Sequence, residues 1–408
     1  MLKRSLKKKL DKALKRSPVT LLAGGRQTGK TTLSKAFANQ AQCRYVTFDD
    51  VATLSAAQQD PVGFLEAKGN KSLVIDEVQR LPELFLSIKK DVDENRIAGR
   101  YLLTGSANPL MISRVSDSLA GRMEILYLWP LSQSEIAGSN KSCIDMLMND
   151  TDFELSGPPL SKADLYQCMI IGGFPAVQGL DDEARTAWFD SYITTLLYRD
   201  VQDLAHISGL IDMPRLLKLL ASRVANLFNT ADVSRSIGIP TTTLRRYLVL
   251  LETLFLVQFQ LPYFNNMAKR LIKAPKIQCI DTGLVSFLLN LNVPRLLEDQ
   301  KMAGQLLENF VYMELRKHQT WSESRVSIMH MRNVTGNEVD VVLEAAGGEI
   351  IGIEVKNSAT VTAQDFKGLR FLQDATPNSF VRGVVFYTGS TIIPFGNKLW
   401  ALPVWWLW

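Results

Sequence analysis

An α/β fold is predicted for this chain, with a parallel-sheet module at the amino end, a helix-turn-helix in the middle and a second α/β module at the carboxyl end. Three observations predict it. A glycine-flanked loop joins an apolar run to a helix-forming segment in "LLAGGRQTGKTTLSKAFA", Leu21–Ala38. Further apolar runs, "RYVTFDD", "SLVIDEVQR", "GRYLLTGSA" and "MEILYLWPL", then alternate with helical patterns. Near the other end, two β-rich runs flank Gly347 and Gly348.

Composition limits the function classes. The chain has 408 residues, 46% hydrophobic and 21% charged, an ordinary globular balance over a length that suggests two or three domains. No run approaches 18 uninterrupted apolar residues, so no membrane span is expected, and the basic start lacks the apolar core of a secretory leader. Cys43, Cys143, Cys168 and Cys279 stand far apart with no C-x-x-C pair, which speaks against a disulfide framework or zinc site and fits a reducing cytoplasm. His206, His318 and His330 lack helical ligand spacing, so a histidine-based metal centre is not expected.

The net charge of +5 is uneven. Residues 1–19 carry eight Lys/Arg against Asp11, and residues 213–276 carry ten against Asp232 and Glu252. Local positive fields of this kind suit a polyanion such as nucleic acid. In the amino-terminal run, Leu2, Leu6, Leu10 and Leu14 recur every four residues. The favoured reading there is a helix whose apolar stripe packs beside the first strand.

The loop from Gly24 and Gly25 through Arg26, Gln27, Thr28, Gly29, Lys30, Thr31 and Thr32 fits G-x-x-x-x-G-K-S/T in the required setting of strand, loop and helix start. "VTLLA" is a β-branched and leucine run suited to a buried parallel strand, and Leu33, Ala36 and Phe37 share a helical side. Glycines at both ends let backbone N–H groups turn inward, and the helix behind adds its positive dipole end, so a polyphosphate is the expected guest. Lys30 then reaches the β- and γ-phosphates, and the Thr31 hydroxyl completes a magnesium shell. In "SLVIDEVQR", the apolar run ends in Asp76 and Glu77, adjacent carboxylates at the carboxyl edge of the sheet, where open α/β folds bind ligands. Asp76 can hold Mg2+ through water, and Glu77 can orient or deprotonate an attacking water. A guanine-reading N-K-x-D element is missing, because "NKSC" at Asn140 lacks the aspartate; adenine, and hence ATP, is the better fit.

Glycine-rich loop, Asp-Glu strand and a later polar-tipped strand together resemble an AAA-type P-loop ATPase. The resemblance implies a polar residue that senses the γ-phosphate; "LLTGSAN" offers Thr104, Ser106 or Asn108, with Ser106 preferred. It also implies an arginine before the fifth strand that enters a neighbouring subunit's site, which points to Arg122, with Arg114 as the alternative, and to a homo-oligomer. Arg199 is the guess for a second sensor arginine.

The texture changes after the fifth strand. Residues 138–211 are expected to form a helical lid or connector, interrupted by "IIGGFPAVQGL". From residue 212 to 275 the segments "RLLKLLASRVANLF", "NTADVSRSIG" and "TTTLRRYLVLLETLFLV" read as three helices around a G-x-P turn, followed by the alternating "LVQFQLPYF". That is the form of a winged helix-turn-helix. Its third helix is expected to present Thr242, Arg245 and Arg246 to DNA, and its wing Lys269, Arg270, Lys273 and Lys276.

The carboxyl-terminal module, residues 276–408 against 1–137 for the ATPase module, carries "NEVDVVLEAAGGEIIGIEVKNSAT". A three-residue loop or glycine bulge at Gly347 and Gly348 makes Asp340 and Glu354 cross-strand partners, with Lys356 on the same face as Glu354. An acid pair beside a lysine can hold Mg2+ and activate a water against a phosphodiester. The arrangement resembles the restriction-endonuclease-like nucleases, and Glu308 in "GQLLENFVYMELRK" matches their leading acid. The terminal "LPVWWLW" reads as a final strand tucked into this core.

End to end, the ATPase module, "GGFP", "RDV", "DTGL" and the E-V-K hairpin are similar to a broad family of bacterial and archaeal AAA-type ATPases with a nuclease-like carboxyl-terminal domain of unknown function. The resemblance implies ATP binding. Three functions follow as expectations: an ATPase acting on DNA, an ATP-switched protein assembly with an inactive nuclease-like scaffold, or an ATP-gated nuclease of a defence or toxin system.

Overall fold

The computed structural model describes residues 2–105, 119–149, 153–155, 158–197, 212–263, 274–333 and 336–408. The chain divides into two compact units, Met1–Leu131 with Thr253–Phe255, and Ser132–Glu252 with Leu256–Trp408.

The first unit is built on β1 (Val19–Ala23), β2 (Arg44–Thr47), β3 (Leu73–Asp76), β4 (Tyr101–Gly105) and β5 (Met123–Tyr127). They form one sheet in the order β2-β3-β4-β1-β5, with every pairing parallel. β1 and β4 are buried throughout, as central strands of a covered parallel sheet are. The five strands coincide with the five apolar runs of the sequence. With β1 between β4 and β5, the chain crosses from β1 past β4 and β3 to the edge strand β2, and later from β4 past β1 to β5, so the glycine loop leaves the sheet where the strand order reverses.

The amino-terminal helix, Lys7–Leu14, packs by its leucine stripe. Leu6, Leu10 and Leu14 are buried in one cluster with Leu22, Leu33, Val74, Leu102 and Leu126, each contributing about 1.5–3 kcal/mol of apolar burial; Leu2 alone is exposed. Some of the surrounding cations are engaged locally. Lys7 Nζ donates to Gln40 (2.9 Å), and Arg16 pairs with Glu124. A second tie secures the helix Leu84–Glu94. Asp91 accepts from Arg100 at 2.5 and 2.6 Å and from the Tyr101 hydroxyl, with Lys68 at 3.3 Å.

In the second unit, helices Met213–Ser222, Thr230–Ile237 and Thr241–Thr253 precede a hairpin of β6 (Val257–Gln260) and β7 (Lys276–Cys279). The first helix is shorter than the sequence suggests, with residues 223–225 forming a turn and Leu227 an isolated bridge instead. The second is capped by Asn229, which accepts from Ala231 N and Asp232 N, and it ends at Gly238 with φ 79°.

β8 (Val326–Arg332), β9 (Glu338–Ala345), β10 (Ile350–Lys356), β11 (Phe380–Tyr387), β12 (Ile393–Pro394) and β13 (Leu399–Pro403) form a mixed sheet in the order β12-β13-β11-β10-β9-β8. β8, β9 and β10 run antiparallel, and β10-β11 and β11-β13 parallel. The helix Lys367–Ala375 makes the β10-to-β11 crossover a parallel connection requires. Ala345 N donates to Glu349 O, leaving a three-residue loop with Gly348 at φ 91°. Trp405 and Trp406 are buried as expected, but the strand ends at Pro403, and Val404–Leu407 is a 3-10 turn.

Two glycine motifs are structural. Asp281, 1% exposed, caps helix Thr282–Leu289 by accepting from Leu284 N (3.1 Å) and clasps the "GGFP" joint by accepting from Gly173 N (2.6 Å). A Cβ at Gly172 would collide with the Asp281 carboxylate.

Candidate functional site

The loop between β1 and helix Lys30–Ala41 has the shape its glycines allow. A Cβ on Gly24 would run into the Leu128 carbonyl, so only glycine lets β1 leave the sheet this close to the end of β5. Gly29 is left-handed at φ 95° and turns the chain into the helix; Gln27 adopts φ 62°. Lys30, 5% exposed, folds back under the loop and donates to Gly24 O (2.9 Å) and Gly25 O (2.7 Å). Burial lowers its ammonium to about 8, against the pull of Glu77 and Asp76. Thr28 Oγ1 donates to Gly25 O (2.9 Å), and Arg4 ties the loop from outside by donating to Thr28 O (2.6 Å) and Trp129 O (2.7 Å). Arg26 is half-buried; Gln27 and Thr32 are exposed at the loop's surface.

At the carboxyl end of β3, Asp76 is 2% exposed and gathers three hydroxyls. Thr31 Oγ1 donates to Oδ2 (2.9 Å), the Tyr45 hydroxyl to Oδ2 (2.8 Å) and Thr104 Oγ1 to Oδ1. Glu77 stands at φ 58°, a left-handed conformation a glutamate rarely adopts. Its N–H donates to Thr104 Oγ1 (3.3 Å), and its carboxylate accepts from Gln79 Nε2. Thr31 and Asp76 meet where a hydroxyl and a carboxylate can share a Mg2+ ion beside a bound triphosphate, so the residues fit that cofactor.

Sequence reasoning missed Tyr45, Gln79 and Arg4, whose neighbours are remote in the chain; it also missed Phe255, whose Cβ would stand 3.3 Å from one added at Gly25. The expected Arg122 precedes β5. Its carbonyl accepts from Val19 N (3.2 Å) at the amino end of β1, roughly 13 Å along the strand from the loop. Its guanidinium is paired there with Asp93 and donates to Ala120 O (3.0 Å). Ser106, Asn108, Arg114 and Arg199 lie outside the described residues.

In the second unit, the expected carboxylates do assemble. The β9-β10 ladder pairs Ile350↔Glu344 through Ile353↔Val341, a register that sets Glu354 next to Asp340 just past its last pair, and Asp340 Oδ2 accepts from Val355 N (3.0 Å). Lys356 donates to Glu354 Oε1 (2.8 Å), and Glu308 joins from helix Gln300–Gln319. The centre of the group is a lysine. Lys276 Nζ lies 2.7 Å from Glu308, 2.9 Å from Glu338 and 3.1 Å from Asp340, with its side chain 2% exposed. This corrects the expectation that Lys276 is a DNA-facing wing residue: its place in the β7 ladder turns the side chain inward. Burial and the neighbouring Asp340 push both Glu308 and Glu354 up to about 8. Among the described residues no group of three or more His, Cys, Asp and Glu side chains is arranged to hold a metal ion. The expected Mg2+ triad of Glu308, Asp340 and Glu354 therefore does not fit a metal here, because the Lys276 ammonium already occupies Glu308 and Asp340 and Lys356 occupies Glu354.

Of the expected DNA contacts, Thr242, Arg245 and Arg246 are exposed on one side of helix Thr241–Thr253. Lys269, Arg270 and Lys273 lie outside the described residues. No helix among the described residues is long and apolar enough to cross a membrane.

The sheet order, glycine loop and Asp76-Glu77 edge define an AAA-type P-loop ATPase domain, and residues 16–137 match the family model described as AAA domain. Residues 162–295 and 303–407 match models described as domains of unknown function, DUF8612 and DUF4143. The chain belongs to one family with uncharacterized protein Rv2008c of Mycobacterium tuberculosis and uncharacterized protein Mb2031c of Mycobacterium bovis. It is 32% identical to each over 400 residues, covering 97% of this chain and 82% of theirs. Among solved structures it is similar to the Walker-type ATPase paby2304 of Pyrococcus abyssi, at TM-score 0.45 and 14% identity over 71% of this chain and 96% of that one.

Proposed function

We propose that this protein is a Mg2+-dependent ATPase that acts on DNA as a homo-oligomer. The observation that carries the reading is the meeting of Thr31, Thr104 and Tyr45 on Asp76 at the mouth of the glycine loop. Lys30 exchanges its two loop carbonyls for the β- and γ-phosphate oxygens. Thr31 and Asp76 hold the Mg2+, which when bound neutralises charge on the phosphates. Glu77, at the lip beside them, orients the attacking water and takes its proton. Ser106 is proposed to read the γ-phosphate, and Arg122, held at the far edge of its own sheet, to complete the site of a neighbouring subunit.

DNA is assigned to the exposed face of Thr242, Arg245 and Arg246, in a winged helix-turn-helix. Exposed guanidiniums on one helix, in a stretch of net charge +8 from residue 213 to 276, support that assignment.

Lys30→Ala is expected to abolish ATP hydrolysis; turnover that persists sinks the loop assignment. Arg245→Ala with Arg246→Ala is expected to weaken duplex binding and reduce the salt slope by about 2. No measurable DNA binding by the parent chain favours the ATP-switched assembly instead. A mass measurement with and without nucleotide tests the trans arginine, since full activity in a strict monomer contradicts it.

A further inference from the structure

The carboxylate cluster of the second unit has a feature that a magnesium site does not need and cannot accommodate. Lys276 Nζ has three N–H donors, and three carboxylates surround it at 2.7, 2.9 and 3.1 Å, from Glu308, Glu338 and Asp340. The ammonium is saturated and shielded from water. A divalent ion in contact with Glu308 and Asp340 would stand against this charge in a buried setting, where like charges repel strongly.

Lys276 is also held from behind. Its residue pairs with Gln260 across the hairpin and bridges Leu227 on its other side. The hairpin is tied to the large sheet in turn. Gln260 Nε2 donates to Met329 O (3.0 Å) and Asp340 O (2.7 Å), and Gln278 Nε2 donates to Gln260 Oε1 (2.8 Å). On the strand just beyond, His330 N donates to Leu261 O (3.0 Å). With the hairpin so fixed, withdrawing the ammonium would strand three carboxylates together.

We propose that Lys276 is a built-in cation that takes the place of a divalent metal among Glu308, Glu338 and Asp340. The cluster thus seats the β6-β7 hairpin on the sheet, and the module binds no metal and cuts no phosphodiester. The ion pairs agree with this: Lys276 meets Glu308, Glu338 and Asp340, and Lys356 lies 2.8 Å from Glu354.

The test is Mn2+ binding to the full, nucleotide-free chain, followed by electron paramagnetic resonance and calorimetry. It compares the parent with Asp340→Asn, Lys276→Met, Lys276→Met/Asp340→Asn and Lys276→Arg. The parent and Asp340→Asn are expected to bind Mn2+ alike. Lys276→Met is expected to gain one ion at least tenfold tighter than any parent binding in this unit, lost again in the double variant, while Lys276→Arg gains none. A parent ion that disappears in Asp340→Asn overturns the proposal, as does a folded Lys276→Met that gains nothing. If Lys276→Met does not fold, the parent against Asp340→Asn still decides, and so does plasmid nicking with Mg2+ or Mn2+. None is expected from the parent, and nicking lost in Asp340→Asn refutes the plug. Metal binding without nucleotide is read independently of ATP turnover, so a failure here leaves the ATPase reading to its own Lys30→Ala test.

Discussion

Thr31 Oγ1 donates to Asp76 Oδ2 at 2.9 Å, joining the first hydroxyl after the loop lysine to the carboxylate that closes β3. Groups that serve one ion fail together. Thr31→Ala and Asp76→Asn are each expected to lower kcat for ATP at least tenfold and to raise the Mg2+ concentration needed for half-maximal rate. The double variant is expected to be no worse than the worse single one, because the second change finds the ion already lost. Steady-state hydrolysis across a Mg2+ titration measures this, and multiplicative losses would show that the two residues act separately.

Glu77 combines a left-handed backbone with a carboxylate bonded by its neighbour two residues on. With φ at 58° and its carboxylate bonded by Gln79 Nε2, the residue assigned to the water is occupied by an amide. Gln79→Ala is expected to release it and raise basal ATP turnover two- to tenfold, whereas Glu77→Gln suppresses turnover and leaves ATP bound. A Gln79→Ala enzyme slower than the parent would mean that Gln79 positions Glu77 for attack instead of restraining it.

The strands of the first unit were legible because each is a local apolar run, and the loop because its glycines sit where the backbone needs them. The hairpin at Gly347 and Gly348 was legible for the same reason, and alternation along it placed Asp340 opposite Glu354. Lys276 was not. Its linear neighbours Lys269, Arg270 and Lys273 make it look like part of an exposed basic run, while its burial depends on which face of β7 meets the helix Gln300–Gln319 and β9, a pairing made over 32 and 64 residues of sequence. Tyr45 escaped similarly: nothing in "RYVTFDD" says that β2 lies beside β3 with its hydroxyl on Asp76.

Asp281 and Gly172 form a lock whose two halves are expected to fail alike. Asp281→Ala strands two backbone N–H groups, Gly173 and Leu284, in a buried place, for a cost of about 3 kcal/mol. Gly172→Ala drives a methyl into the carboxylate and forces a residue with φ 74° to carry a side chain, costing a similar amount. Urea unfolding of the second unit is the measurement. The pair in one chain is expected to cost less than the two separate losses added, since each breaks the same clasp; strict additivity would separate them.

His318 gives the pH dependence of the second unit a definite sign. It is fully buried in helix Gln300–Gln319, and its Nδ1 accepts from Cys143 N (3.1 Å), so Nε2 carries the proton shared with Ser134 Oγ (3.1 Å). Protonating Nδ1 would break the first bond, and burial together with the adjacent Lys317 charge lowers the ring to about 3. Below the ordinary histidine value near 6.5 the unfolded chain takes up a proton that the folded chain refuses, so this contribution falls as pH falls. His330 acts in the same direction. Glu308 and Glu354, both raised, act oppositely between about pH 4 and 8, which makes the parent's own profile a poor test. The difference between parent and His318→Gln isolates the residue. The substitution is expected to destabilise the unit at pH 7 and to do so by about 2 kcal/mol less at pH 5. Urea denaturation at the two pH values, followed by tryptophan fluorescence, measures it; Trp321 lies 4.6 Å from the imidazole as a nearby reporter. A cost that is the same at both pH values would mean that the imidazole accepts a proton in the folded chain and that the Cys143 bond does not hold it neutral.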